Sequence, residues 1–112
     1  MARFDLLGGG AIGRVPADAT AFVHRSSMFN ISIIAQWVGD DERDANQRWT
    51  DDLMTSLAPH LSGEVYQNYA DEQLDDWPAA YYGANYPRLR QVKQRYDPTD
   101  FFRHPQSIRP PA

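Results

Sequence analysis

The side chains able to do chemistry in this 112-residue chain are mostly phenols and amides. Tyr66, Asn68 and Tyr69 lie almost side by side, and a second group, Tyr81, Tyr82, Asn85 and Tyr86, follows. A phenol with its ordinary pKa of about 10 is ionised to roughly one part in a thousand at pH 7. Holding it ionised there takes on the order of 4 kcal/mol of help from its surroundings. A neutral tyrosine avoids that cost by releasing its own proton as it receives another. Proton transfer is therefore within reach of these groups, although buried tyrosines in a small domain ordinarily serve packing, with each hydroxyl finding a partner.

Other common chemistries find no support. The chain has no cysteine, which removes thiol nucleophiles, disulfides and cysteine-type zinc sites. His24, His60 and His104 have neither HxH nor HExxH spacing, so no metal site is expected. Ser26, Ser27, Ser62 and Ser107 stand outside any GxSxG context. Gly8, Gly9 and Gly10 permit positive φ, but no GxGxxG or Walker spacing accompanies them. Asp71, Asp75 and Asp76 read as solvent-facing caps.

The elements that must position the tyrosines follow from periodicity. Ala21–His24 and the alternating run Phe29, Ile31, Ile33, Ala35 and Trp37 read as two strands, joined into a hairpin by residues 25–28. A helix over about 41–57 carries Ala45, Trp49, Leu53 and Leu57 on one face. Asp40 or Asp41 is its expected cap, Pro59 its stop and the sheet its expected cover. Glu64–Tyr69 reads as a third strand, residues 71–77 as a helical turn, and residues 79–83 as irregular. A last helix over about 86–96 has Asn85 as cap and Pro87 in its first turn, with Leu89, Val92 and Tyr96 facing inward. The sum is an α+β fold: a small antiparallel sheet of three or four strands on two or three helices. In a regular strand Tyr66 and Asn68 share one face and Tyr69 points to the other, so the strand must end or bulge near Asn68 if all three are to meet.

The formal charge of −4 comes without a basic face beyond Arg88, Arg90, Lys93 and Arg95, which read as a solvated helix surface. No nucleic-acid partner is expected. No apolar run is long enough for a signal peptide or a membrane span, so the expectation is a soluble chain, cytoplasmic by default, with no membrane partner.

The residues also carry a resemblance. Gly9–Val15 (GGAIGRV), Thr20–Arg25 (TAFVHR) and Tyr66–Asp71 (YQNYAD) are followed by YYGANYPRLRQVKQRYDP, a Phe101-Phe102 pair and Gln106-Ser107-Ile108. In order and spacing these blocks resemble the C-terminal part of berberine bridge enzyme-like FAD-linked oxidoreductases. The resemblance implies that residues 1–80 are part of a larger flavoenzyme's substrate domain and that residues 81–112 are the closing segment that returns to its flavin domain. It implies Tyr69 as the base that takes a proton while hydride passes to flavin N5, with Tyr66 beside it. Asn68 and Asn85 are the implied cofactor contacts. FAD would be held mainly by an N-terminal FAD-binding domain or chain, without which these residues should be inactive. A small organic substrate and oxygen complete the implied reaction. An exposed sheet edge or apolar patch is expected where that partner lies, with self-association as its consequence. The alternative is a small non-catalytic binding domain derived from such an enzyme.

Overall fold

The computed structural model describes residues 1–111, which fall into two compact units. The first combines Met1–Gly8 with Ser27–Gly63; the second combines Gly9–Ser26 with the chain from Glu64 onward.

In the first unit, Ala2, Phe4 and Leu6 alternate with Arg3 and Asp5. This period-two segment is strand β1 (Ala2–Leu6), paired antiparallel with β2 (Phe29–Ile33). The register sets Ala2 opposite Ile33, Phe4 opposite Ile31 and Leu6 opposite Phe29. Opposed residues of an antiparallel ladder share a face, so these six side chains form one wholly apolar face. On the other face Arg3 pairs with Asp5 at 2.9 Å and the Asn30 amide donates to Ser32 Oγ at 3.3 Å. The ladder runs on through Ile34 N–H to the Met1 carbonyl and Leu7 N–H to the Met28 carbonyl, both 2.9 Å. That phase turns the backbone groups of Phe29, Ile31 and Ile33 away from β1, toward the free edge of a two-stranded sheet.

The sheet therefore has two strands among the described residues, not three or four, and β2 takes its partner from residues 2–6 instead of 21–24. Ala21–His24 cannot extend into a hairpin because Arg25 N–H bonds the Val23 carbonyl at 2.7 Å, a three-residue γ-turn. Glu64–Tyr69 is not a strand either. Tyr69 N–H closes on the Tyr66 carbonyl at 2.8 Å, a β-turn with Gln67 and Asn68 at its centre.

Helix α2 (Arg43–Leu57) follows a 3₁₀ turn, Asp40–Glu42, whose three carboxylates sit at the positive end of the helix dipole. No side-chain bond from Asp40 or Asp41 caps it. The helix passes into a second 3₁₀ turn, Ala58–His60, which contains Pro59. Its apolar stripe is only partly covered: Leu53 and Leu57 are half-buried, Trp49 and Met54 are each 43% exposed, and no residue of α2 is fully buried. Periodicity identifies an apolar face without saying what lies against it.

The second unit opens with a one-turn helix, α1 (Gly10–Arg14), entered through Gly9 at φ 83°. Its core lies in α3 (Trp77–Tyr82), a 3₁₀ turn (Gly83–Asn85) and α4 (Tyr86–Tyr96). Residues 79–83 are thus mostly helical, started by Pro78 in the first turn, where its missing N–H costs nothing. Trp77 and Tyr81 are the buried apolar residues. The Trp77 ring meets Tyr86 edge-on at 5.6 Å, and Tyr82 stacks on Tyr86 at 6.1 Å. The Tyr81 hydroxyl accepts from Asp71 N–H at 2.9 Å and donates to Gln106 Oε1 at 3.0 Å, while Gln106 Nε2 donates to the Asp71 carbonyl. Helix α4 has the expected bounds, yet Val92 and Tyr96 face outward, Tyr96 being 74% exposed. After it, Asp97 accepts the N–H groups of Phe101 and Phe102, and Lys93 bridges Asp97 and Asp100.

Candidate active site at the Tyr66–Tyr69 turn

The β-turn resolves the geometric demand stated above. Because the chain reverses across Gln67-Asn68, Tyr66 and Tyr69 come together, their rings edge to face at 5.3 Å. The Asn68 amide donates to the Tyr66 hydroxyl oxygen at 2.6 Å. A donor aimed at that oxygen stabilises negative charge developing there, and it leaves the phenol's own proton free for another acceptor. Three of the four residues singled out from sequence thus meet on one turn. Tyr66 is half-buried, and Tyr69 is 48% exposed and accessible to a ligand.

Backbone bonds on both sides fix the turn within its unit. Val65 N–H donates to the Ala80 carbonyl at 3.0 Å, tying the approach to α3. Beyond the turn, Asp71 is held by Tyr81 and Gln106 through both its N–H and its carbonyl.

Asn85 does not join the cluster. It is buried, and its amide nitrogen donates to the carbonyls of Ala17 at 2.7 Å and Thr20 at 2.9 Å. Both donors of that nitrogen are consumed by the loop before Phe22, so they are not available to a cofactor. Nor does the side chain cap α4, since no cap bond is formed. The position reads as a cap from its place before Tyr86-Pro87, but the side-chain nitrogen is turned to the carbonyls of a distant loop and the side-chain oxygen makes no cap bond.

Two residues that sequence reasoning did not select complete the surroundings. Phe22 meets Tyr66 at 5.9 Å and His24 at 5.3 Å, both edge-on. His24 is 3% exposed, with Nδ1 3.3 Å from Glu64 Oε2. Its Nε2 and the Gln67 side-chain oxygen are buried with no hydrogen-bond partner among the described residues. The signal for both lies in the TAFVHR block, whose histidine has no metal-ligand spacing but stands two residues from Phe22. No group of histidines and carboxylates placed to hold a metal occurs among the described residues.

A separate open depression of about 590 Å³ lies over the closing segment, lined by Tyr82, Lys93, Phe101 and residues up to Ile108. Burial raises the Tyr82 pKa above its usual 10.0, aided by repulsion from Tyr81 and Tyr86. The hydrogen bonds that Lys93 donates to Asp97 and to Asp100 raise its pKa above the usual 10.5. Both groups stay protonated at neutral pH, so neither serves as a base. Asp97 is correspondingly held below the usual carboxylate value by its bond from Lys93.

The family model for berberine and berberine-like proteins matches residues 65–109. An uncharacterized FAD-linked oxidoreductase of Bacillus subtilis, YgaK, is 43% identical over 91% of this chain and 22% of its own length. Aclacinomycin-N/aclacinomycin-A oxidase of Streptomyces galilaeus is 35% identical over 93% of this chain and 22% of its own. Among solved structures, wild-type BBE-like 1 of Physcomitrella patens superposes with a TM-score of 0.88 at 32% identity, covering 97% of this chain and 23% of that one. The chain thus spans about a fifth to a quarter of the length of the relatives it matches.

Proposed function

We propose, for a chain homologous to one segment of the berberine bridge enzyme-like FAD-linked oxidoreductases, that it supplies the acid–base half of a flavin-dependent oxidation and acts together with an FAD-binding polypeptide. The observation that carries this reading is the Tyr66–Tyr69 turn, where two phenols and an amide converge.

The residues present fit a planar redox cofactor on one side only. The turn offers aromatic and amide surface together with the unpartnered Gln67 oxygen. No glycine-rich phosphate loop is found in the sequence, so the nucleotide part of FAD falls to the partner. FAD, when bound, supplies the two-electron acceptor. Tyr69, the more exposed phenol, would take the proton of a substrate hydroxyl while releasing its own phenolic proton to solvent, and the hydride of the neighbouring C–H bond would be left for that acceptor. Tyr66 lies against it, oriented by Asn68, and polarises that exchange. The substrate is a small alcohol, sugar or polyketide-type molecule. Relatives span this range, from aclacinomycin oxidation to the glucose dehydrogenase activity of the pollen allergen Phl p 4.

The partner's contact surface, in this reading, is the apolar face of the first unit. Phe4, Leu6 and Phe29 on that face are 63%, 69% and 57% exposed, and β2 ends at a free edge. Isolated two-stranded sheets are marginal in water, and exposed apolar patches of this kind are contact surfaces. The remaining three quarters or so of a flavoenzyme like those matched would cover it; uncovered, it drives self-association. The test is to purify the chain alone and together with an FAD-binding domain or chain from the same source. A yellow, substrate-reducible complex is expected from the pair. A colourless pair producing no hydrogen peroxide would favour a non-catalytic binding domain instead.

A further inference from the structure

We infer that Arg25 is the positioning residue of the tyrosine pair, acting through Phe22. No regular strand or helix holds residues 15–28, so something else must fix the Phe22 ring on which Tyr66 leans. The Arg25 guanidinium does this from several directions. Its Nε donates to the Phe22 carbonyl at 3.1 Å and its Nη2 to Thr20 Oγ1 at 2.7 Å. Its Nη1 reaches the Ile12 carbonyl at 3.5 Å, and its carbon lies 4.8 Å from the centre of the Phe22 ring.

One planar fork therefore fixes the backbone of Phe22, the loop before it and the face of its ring. That is a task for arginine in particular, since a lysine offers one point charge and no fixed pair of donors. The opposite side of the same loop is pinned by Asn85 through Ala17 and Thr20. Phe22 then passes its position to Tyr66 by an edge-on contact at 5.9 Å, and Tyr66 to Tyr69 by another at 5.3 Å. Edge-to-face pairs are directional, so rotation of Phe22 alters the angle at which the two phenols meet. Arg25 touches neither tyrosine in any of these contacts, which makes it a positioning residue and not a catalytic one. Its importance for turnover rests on the function proposed above; the ring arrangement does not.

The experiment reads the ring contacts in the full chain by NMR, comparing wild type with Arg25→Ala and Arg25→Lys. The expected result is loss of the Phe22–Tyr66 ring cross-peaks in both variants, with Tyr81 and Trp77 resonances unmoved. Cross-peaks that persist in Arg25→Ala, or that Arg25→Lys restores in full, overturn the inference. Should Arg25→Ala fail to fold, Thr20→Val removes the Nη2 acceptor at an exposed position and must weaken the same cross-peaks; unchanged cross-peaks there count equally against it. In the flavin-loaded complex Arg25→Lys should lower kcat with KM little changed. Lost ring contacts with unchanged kcat would leave the positioning role intact and sink the acid–base reading of the tyrosines.

Discussion

Replacing Tyr81 by phenylalanine removes one oxygen from the centre of the second unit and little else. The ring is 2% exposed and keeps its contacts with Trp77 and Tyr82. What is lost is the bond accepted from Asp71 N–H and the bond donated to Gln106 Oε1. Each such bond contributes about 0.5–1.5 kcal/mol net, and groups left buried without a partner raise the cost. The expected loss is about 1–3 kcal/mol, partly limited because Gln106 Nε2 still reaches the Asp71 carbonyl at 2.6 Å. For a urea slope of about 1–3 kcal/mol/M, this lowers the unfolding midpoint by roughly 1 M with the slope unchanged. Tyr96→Phe is the control, since Tyr96 is 74% exposed and its loss should leave the midpoint in place. A Tyr81→Phe midpoint indistinguishable from wild type would refute the claim that this hydroxyl joins the Tyr66–Asp71 segment to the closing segment.

Three further outcomes follow from the same contacts. Asn85→Ala should cost about 1–2 kcal/mol in urea denaturation, because two bonds are lost while the exposed backbone around Ala17 and Thr20 can regain water. The Lys93–Asp97 clamp sets two pH limits. Asp97 is depressed below 3.8, so its contribution is complete above that value and lost as pH falls through the lower folded value. Lys93 is raised above 10.5, so its contribution is complete below that value and lost as pH rises through the higher folded value. Protection of the tail amides near Phe101 and Phe102, measured as exchange relative to an unstructured peptide at the same pH, should therefore hold between those limits, and Asp97→Asn should abolish the acid-side change. Finally, Phe4→Lys with Phe29→Lys should reduce self-association in sedimentation of the chain alone. An unchanged sedimentation profile would exclude that face as the contact.

The parts of this structure that were legible in the sequence are those decided locally. Helix α4 follows from Pro87 in its first turn and the Asp97-Pro98 stop, and α2 from the spacing of Trp49, Leu53 and Leu57. Strand pairing was not legible, because two segments more than twenty residues apart compete on pattern alone. The alternation over Ala2–Leu6 is as regular as that of β2, but Ala21–His24 lies nearer in sequence and matches the strand pattern too. At the site, residue types identified Tyr66, Asn68 and Tyr69. The turn that unites them depends on Tyr69 N–H finding the Tyr66 carbonyl. Asn85 shows the reverse case. Its type and position suggested a cap or a cofactor contact, and only carbonyls more than sixty residues away explain what its amide does.

The central claim is that the Tyr66–Tyr69 turn performs the proton transfer of a flavin-dependent oxidation. Its most direct test is anaerobic reduction of the flavin by substrate in the complex of this chain with its FAD-binding polypeptide, comparing wild type with Tyr69→Phe. A removed general base typically costs 10²–10⁴-fold, so the account predicts a drop of roughly that size in the reduction rate with flavin binding retained. Reduction at the wild-type rate by a fully flavin-loaded Tyr69→Phe complex would contradict it.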